Sequence, residues 1–420
     1  MMSAVDELLS LPPYGLSPGA KTAALLPAVR EELAHHHDHC EPFARWCLRQ
    51  GFDPRGPWSD LAEVPPLPVN IFKRMLLRSV PETEIVRTLS SSTTSSQTPS
   101  RIALDGTTRN RQMRALAAIL SHRLGRQRRP FIVLDAPPTP YSSRSARGSL
   151  EQPSPPDLEG QMGQEDLSRS ERNTRDLSRS ERNTDTELSA RAAALRGYLM
   201  AATRTDYVLR REGESLVLDV EELATAVERA KAEAAAPCLL GYTYVLYRHV
   251  VAALIERAVR IDLPPSAVVL HFGGWKRLGD EAVDRQTLTA RTAAALGVAE
   301  ASVCDVYGFT EQLGVVYPDA ADGLKRAPTY AEVIVRDPRT LRPVPDGQIG
   351  LLEFVCPLAH SYPGVAVLLD DLGRIVSRVP GPDGMTGTAF EVVGRAEQAE
   401  IRGCGDTLPR RFYEGIAPVA

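Results

Sequence analysis

Three groups of side chains in this sequence combine residue types that handle phosphate, metal and sugar hydroxyls. The first is a run of seven consecutive hydroxyl residues: Ser90, Ser91, Ser92, Thr93, Thr94, Ser95 and Ser96. Placed between two strands, such a loop offers backbone N–H and hydroxyl donors that converge on an anion. A loop of this composition is equally suited to being a solvated connection. The second group is Tyr307-Gly308-Phe309-Thr310-Glu311, directly after a strand-like apolar segment. It puts a hydroxyl and a carboxylate at the carboxyl end of a parallel strand, where open α/β sheets bind ligands. Thr310 can hydrogen-bond a phosphate there and Glu311 can hold Mg²⁺, or both are ordinary first-turn residues of a helix. The third group is Asp370-Asp371-Leu372-Gly373 with Gly394-Arg395. A carboxylate suits a ribose diol and a guanidinium suits a phosphate. The plainer alternatives are turn chemistry for the two aspartates and a surface ion pair for Arg395.

These groups need a frame to bring them together. Apolar periodicity predicts helices over 20–50, strands at 84–89 and 101–104 around the hydroxyl loop, and a helix over 108–124. Residues 130–135 and 267–272 are short apolar runs of the kind found in buried parallel strands. The second of these ends in Gly273-Gly274, and a further strand at 303–306 delivers Tyr307. Between them the pattern predicts a helix after 188, a hairpin of 207–209 with 215–218, helix 220–235, a strand from 238, and helix 280–296. From 331 onward strands dominate: 331–336, 350–355, 365–369, 374–377 and 390–393. Alternating β and α followed by β-rich sequence predicts an α/β fold, a doubly wound core with an antiparallel β subdomain. The expected division is a helical N-terminal region (1–65), the core (66–375), and a short C-terminal β region and tail (376–420).

One stretch breaks the pattern. Residues 139–187 are rich in Ser, Arg, Glu, Pro and Asn, and DLSRSERNT occurs at 166–174 and again at 176–184. Two polar copies do not make a solenoid, so a disordered surface insertion is expected.

Composition narrows the class. The net charge of −4 and the scattered basic residues give nucleic acid nothing to bind. No apolar run reaches the ~18 residues of a membrane span, and the N-terminus lacks signal-peptide features. Six cysteines without a CxxC pair point to reduced thiols in a cytoplasmic protein. Only five of the 49 basic residues are lysines: Lys21, Lys73, Lys231, Lys276 and Lys325. Any role that requires a lysine therefore has few candidates. The run His35-His36-His37-Asp38-His39 puts His35 and His39 on one helix face. No carboxylate–histidine partner at metal spacing follows it, so a polar helix end is expected.

The order hydroxyl loop, GGW, YGFTE, DDLG, GR resembles that of the adenylate-forming superfamily. The wording resembles its acyl-protein synthetase (LuxE-like) branch: LPVNIFK (67–73), SRIALD (100–105), GYT (241–243), HFGGWK (271–276), DVYGFTEQ (305–312), SYPG (361–364), DDLG (370–373) and GRAEQAEIRGC (394–404). The resemblance covers nearly all the chain from about residue 20, apart from the insertion. It implies that a carboxylic acid of fatty type reacts with ATP and Mg²⁺ to give an acyl-adenylate, and that the acyl group then passes to a thiol. By the same resemblance, Ser91, Ser92, Thr93, Thr94, Ser95 and Ser96 would cradle phosphates, Thr310 would contact the α-phosphate and Glu311 the metal. Asp371 would bind the ribose with Arg395 beside it. Gly273, Gly274, Tyr307 and Gly308 would border the nucleotide. Apart from the resemblance, the position of Lys276 two residues after Gly274 is expected to add positive charge near that site. Cys404 matches the family's acyl-accepting cysteine, and an acyl reductase or carrier would be the partner. Two departures stand out: Thr93 and Ser96 replace the family loop's glycines, and no lysine follows Lys325, so no full C-terminal lid domain is expected. Two alternatives are a partner-binding scaffold of weak activity and a ligase that uses an external thiol or amine.

Overall fold

The computed structural model describes residues 2–91, 99–137, 187–213, 215–275 and 282–396, with side chains of 187–191 left aside. Short capping contacts set where its helices begin. Asp105 closes strand β3 (Arg101–Asp105), and its carboxylate accepts from the Thr108 N–H at 2.8 Å, starting the helix Gly106–Leu124. Asp219 and Asp284 cap the helices Val220–Ala232 and Arg285–Leu296 in the same way.

These helices cover a mostly parallel sheet. Its strands are β4 (Arg129–Leu134), β6 (Ala202–Tyr207), β9 (Cys238–Tyr242), β10 (Val268–Phe272), β11 (Val303–Tyr307) and β12 (Tyr317–Pro318). They lie in the order β12-β11-β10-β9-β4-β6, and only β12 runs antiparallel to its neighbour. Every residue of β9 is buried, as expected of a strand covered on both faces.

A second sheet contains β13 (Lys325–Arg326), β14 (Glu332–Arg336), β15 (Gly350–Val355), β16 (Ala366–Ser377) and β17 (Ala389–Arg395), ordered β13-β17-β16-β15-β14. All these pairings are antiparallel, and β1 (Leu67–Pro68) adds to β16 in parallel. A third, small sheet joins β2 (Ile85–Ser90) to β3 and β5 (Glu187–Ser189). The strands β7 (Leu209–Glu212) and β8 (Ser215–Leu218) form a hairpin. Among the described residues, no helix is long and apolar enough to cross a membrane.

The α/β core with an antiparallel subdomain is as expected, with two differences. Residues 202–207 were not expected to form a strand, yet they pair with β4 at the sheet edge. ATRTDY carries little apolar signal because an edge strand buries only part of its side chains. The segments 365–369 and 374–377 are one continuous strand rather than two. Asp370-Asp371 is therefore not a turn; it lies in mid-strand, just before a bulge at Leu372–Gly373.

Two apolar cores result. One packs the N-terminal helices, including Trp46 and Phe43, against the antiparallel sheet; the other surrounds the parallel sheet. The strand β11 joins them: Val306 belongs to the parallel-sheet core, whereas Tyr307 packs on the other. The motif after Tyr307 therefore opens at the seam between the two.

Candidate active site

Past Tyr307 the chain makes a short 3₁₀ turn, Thr310–Gln312. Gln312 ties this turn across to the second sheet: its Nε2 donates to the carbonyls of Phe354 (3.0 Å), Gly364 (2.9 Å) and Val365 (3.2 Å). The Tyr362 hydroxyl donates to the Glu311 carbonyl at 2.8 Å. Gly364 is needed for this closeness, because a Cβ there would lie 2.5 Å from the Tyr362 ring and 3.2 Å from the Glu311 carbonyl. So the SYPG segment holds Glu311 in place.

The Glu311 side chain is only 4% exposed. Burial pushes its carboxyl group above the usual range; a hydrogen bond from the Ser100 side chain and the charge of Lys73 only partly oppose this. Ser100 is itself 2% exposed and closes the stem of the hydroxyl loop. The Ser91 N–H donates to the Ser100 carbonyl, and the Ser100 N–H donates to the Ser91 hydroxyl, each at 2.9 Å. The loop stem and Glu311 thus share one place.

Opposite them, Asp371 and Arg395 are direct partners across β16 and β17. Asp371 accepts from the Tyr307 hydroxyl at 2.6 Å and from Arg395 Nε at 3.1 Å. Burial, and then the Asp371 charge, raises the Tyr307 pKa and so keeps the phenol a donor. The Tyr307 ring is fixed by Phe354, Phe309, Tyr317 and Phe390, with centroids 5.7–6.3 Å away. Aromatic pairs of this kind contribute about 0.5–1.5 kcal/mol each beyond area burial. Arg395 remains 75% exposed, so its guanidinium is available to an anion.

The Gly273-Gly274 turn borders the same end of the sheet. Gly273 has φ +87°, and a Cβ there would meet the Tyr242 ring at 2.9 Å. Behind it, Lys325 bridges Asp305 (2.7 Å) and Asp319 (3.0 Å) and so fastens the ends of β11 and β12 to β13.

The sequence profile of the family described as "Acyl-protein synthetase, LuxE" matches residues 1–147 and 169–413. The chain belongs to this acyl-protein synthetase family. Two relatives are each named long-chain-fatty-acid–luciferin-component ligase. The one from Vibrio harveyi is 26% identical over 196 residues, 46% of this chain and 50% of that protein. The one from Aliivibrio fischeri is 23% identical over 223 residues, 52% and 57%. The chain thus spans about half the length of the curated relatives it matches. Among solved structures, 2-hydroxyisobutyryl-CoA ligase in an open conformation with 2-HIB-AMP and CoA aligns with TM-score 0.58 at 15% identity. That match covers 91% of this chain and 76% of the other. The same ligase in the thioesterification state gives 0.57 at 14% identity. The acyl-protein synthetase chain therefore has the fold of adenylate-forming ligases.

Of the residues singled out from sequence in this acyl-protein synthetase, the seam gathers Ser91, Gly273, Gly274, Tyr307, Gly308, Thr310, Glu311, Asp371 and Arg395 along the carboxyl ends of β10 and β11 and the facing strands. Ser92, Thr93, Thr94, Ser95, Ser96, Lys276 and Cys404 lie outside the described residues. Five supporting residues carried no expected role: Asn70, Ser100, Gln312, Tyr362 and Asp370. All stand in or beside the family's words, but only tertiary contacts give them work. The histidine run also differs from expectation. Glu32, His35 and His360 each present a donor atom within 4.8 Å of one another, so carboxylate and imidazole do meet. Yet Glu32 already binds Arg111 at 2.6 Å and His360 at 3.0 Å. The group is a satisfied polar network beneath the SYPG segment.

Proposed function

We propose that this acyl-protein synthetase uses ATP to activate a carboxylic acid, of fatty type, and then transfers the acyl group to a thiol. The observation that carries this proposal is Glu311: a carboxylate buried at the end of a parallel strand, with no ion pair among the described residues, and on the same seam as a tyrosine–aspartate–arginine group. A buried carboxylate left without an ion partner is costly unless a ligand supplies the charge. The hard oxygen donor suits Mg²⁺, which would also offset charge on the phosphates.

In the first half-reaction the acid's oxygen attacks the α-phosphorus of ATP and pyrophosphate leaves. Thr310 and the hydroxyl loop donate to the phosphates, and Asp371 accepts from the ribose hydroxyls while Arg395 stands beside it. In the second, a thiolate sulfur attacks the acyl carbon and AMP leaves. Cys404, the residue matching the family's acceptor, is the proposed nucleophile, with an acyl reductase or carrier protein as onward partner. The five described cysteines are poor candidates. All are buried, and burial raises their thiols, Cys356 to about 12.

The test is ATP–pyrophosphate exchange with purified protein over fatty, short-chain and aromatic acids, followed by mass analysis for an acyl adduct. Acid-dependent exchange with an adduct on Cys404 is the expected result. Exchange without an adduct would redirect the second step to an external thiol or amine. No exchange from folded protein with Mg²⁺ present would leave a partner-binding scaffold as the function. In the same assay, Asp371→Ala is expected to raise KM for ATP by about 10–100-fold with a smaller change in kcat, the loss typical of a hydrogen bond to a charged group. An unchanged KM would remove Asp371 from the nucleotide site.

A further inference from the structure

We propose that Lys73 is the cation that meets the acid and the α-phosphate during adenylation, reaching the seam from the short helix Ile71–Arg74. This rests on the function proposed above. Lysines are scarce here, five of 49 basic residues, so few positions can supply an ammonium group. Lys21 is buried against Glu332 at 3.0 Å, Lys231 pairs with Glu228 at 2.8 Å, and Lys325 is held by Asp305 and Asp319. Lys276 lies outside the described residues. Lys73 makes no ion pair among the described residues and its side chain is half-buried.

Its place follows from the topology of β16. The first part of β16 pairs with β1, Leu67 opposite Val367 and Pro68 opposite Leu368, and the Val69 N–H extends the pairing to the Leu368 carbonyl at 2.8 Å. From Asp371 onward the partner on that side is β17. The strand therefore changes partner at Asp370, and the chain leaving β1 turns into the Lys73 helix at this opening. Two contacts pin the turn on either side of Lys73. Asn70 Nδ2 donates to Asp370 Oδ1 at 3.4 Å. The Phe72 ring meets the Tyr362 ring edge-on at 6.1 Å, and Tyr362 in turn holds the Glu311 carbonyl. The helix that carries Lys73 is thus held between Asp370 on one side and Tyr362, with the Glu311 carbonyl, on the other. A compact ammonium group on a flexible stem can follow charge from the incoming carboxylate to the α-phosphate, which a planar guanidinium does less well. In adenylation the ammonium group meets two charged partners at once, the attacking carboxylate and the five-coordinate α-phosphate, whereas in transfer no carboxylate enters and charge grows only on the departing AMP oxygen. Thiolate attack on a finished adenylate does not make the same demand.

The experiment compares wild type, Lys73→Ala and Lys73→Arg in two assays: acid-dependent ATP–pyrophosphate exchange, and acyl transfer from a chemically synthesised acyl-adenylate. Exchange kcat in Lys73→Ala is expected to fall about 100-fold, as when one positioned transition-state donor is removed. Lys73→Arg is expected to recover about tenfold of this loss, and acyl transfer to stay within about threefold of wild type in both variants. Melting temperatures should match. Exchange by Lys73→Ala within about threefold of wild type would overturn the assignment, as would equal loss in both assays, the sign of a purely structural role. Wild type that shows no exchange at all would instead overturn the function itself, and this inference with it.

Discussion

Glu311→Gln is expected to lower acid-dependent ATP–pyrophosphate exchange by about 10²–10³-fold while the protein melts at the same temperature or higher. The two halves of this result have one cause. At 4% exposure, burial raises the Glu311 carboxyl, which means that folding disfavours its charge. An acid whose folded pKa is raised detracts from stability once the pH exceeds its unfolded value, so near neutrality Glu311 opposes folding. Glutamine keeps the shape, still has an oxygen for the Ser100 hydrogen bond, and removes that opposition. It cannot hold Mg²⁺ as a charged ligand, so activity falls while stability does not, the mark of a residue kept for function. Glu311→Ala should lose as much exchange but some stability, since it leaves a cavity at a buried position. Full exchange in the glutamine variant would remove Glu311 from the metal site. A large drop in melting temperature would make its role structural.

His36 is expected to make the protein sensitive to mild acid. Its imidazole is 0% exposed, with Nδ1 at 2.8 Å from the Ser79 hydroxyl and Nε2 at 3.0 Å from the Ala359 carbonyl. A carbonyl only accepts, so Nε2 carries the proton and Nδ1 accepts from Ser79: the neutral ring is fully satisfied. Burial lowers its pKa to about 3, against the opposing charge of nearby Glu32 and with the help of His35 and His360. In the unfolded chain the ring titrates near 6.5. Between about pH 6.5 and 3 the unfolded state therefore binds the extra proton, and stability is lost as pH falls. The slope approaches ~1.4 kcal/mol per pH unit, so the loss from this group is about 2 kcal/mol by pH 5. His36→Gln should be less stable than wild type at pH 7.5, where packing and hydrogen bonds are lost. That gap should shrink by about 2 kcal/mol at pH 5, as measured by chemical denaturation. Glu32 and His360 titrate equally in both proteins and cancel from the comparison. A gap independent of pH would mean that the ring already takes a proton in the folded state.

The groups proposed to carry the chemistry were legible one by one. A hydroxyl run, YGFTE, and an aspartate pair with a distant Gly-Arg each name a kind of ligand atom. The apolar runs at 130–135, 267–272 and 303–306 marked the strands whose ends present two of these groups. What stayed hidden was of two kinds. The strand Ala202–Tyr207 was missed because an edge position leaves half its side chains polar. Asp370-Asp371 looked like a turn because consecutive aspartates and a glycine favour turns locally. Pairing with β17 and a bulge at Gly373 instead hold them in one long strand, as tertiary pairing can override local preference.

The histidine run shows the same limit from another direction. Helical spacing identifies the face shared by His35 and His39, but burial of His36 depends on Ser79 and Ala359, and the partner of Glu32 is His360, hundreds of residues away. No local period encodes such contacts. By itself the sequence determined the family, the α/β alternation and the reactive residue types, because these follow from short-range patterns and from the wording of motifs. Only the tertiary structure decided that Tyr307 and Arg395 meet at Asp371, that Ser100 and Tyr362 hold Glu311, and that Lys73 stands where β16 changes partner. Each of those depends on strand register and on burial, which are set by the packing of segments far apart in the chain.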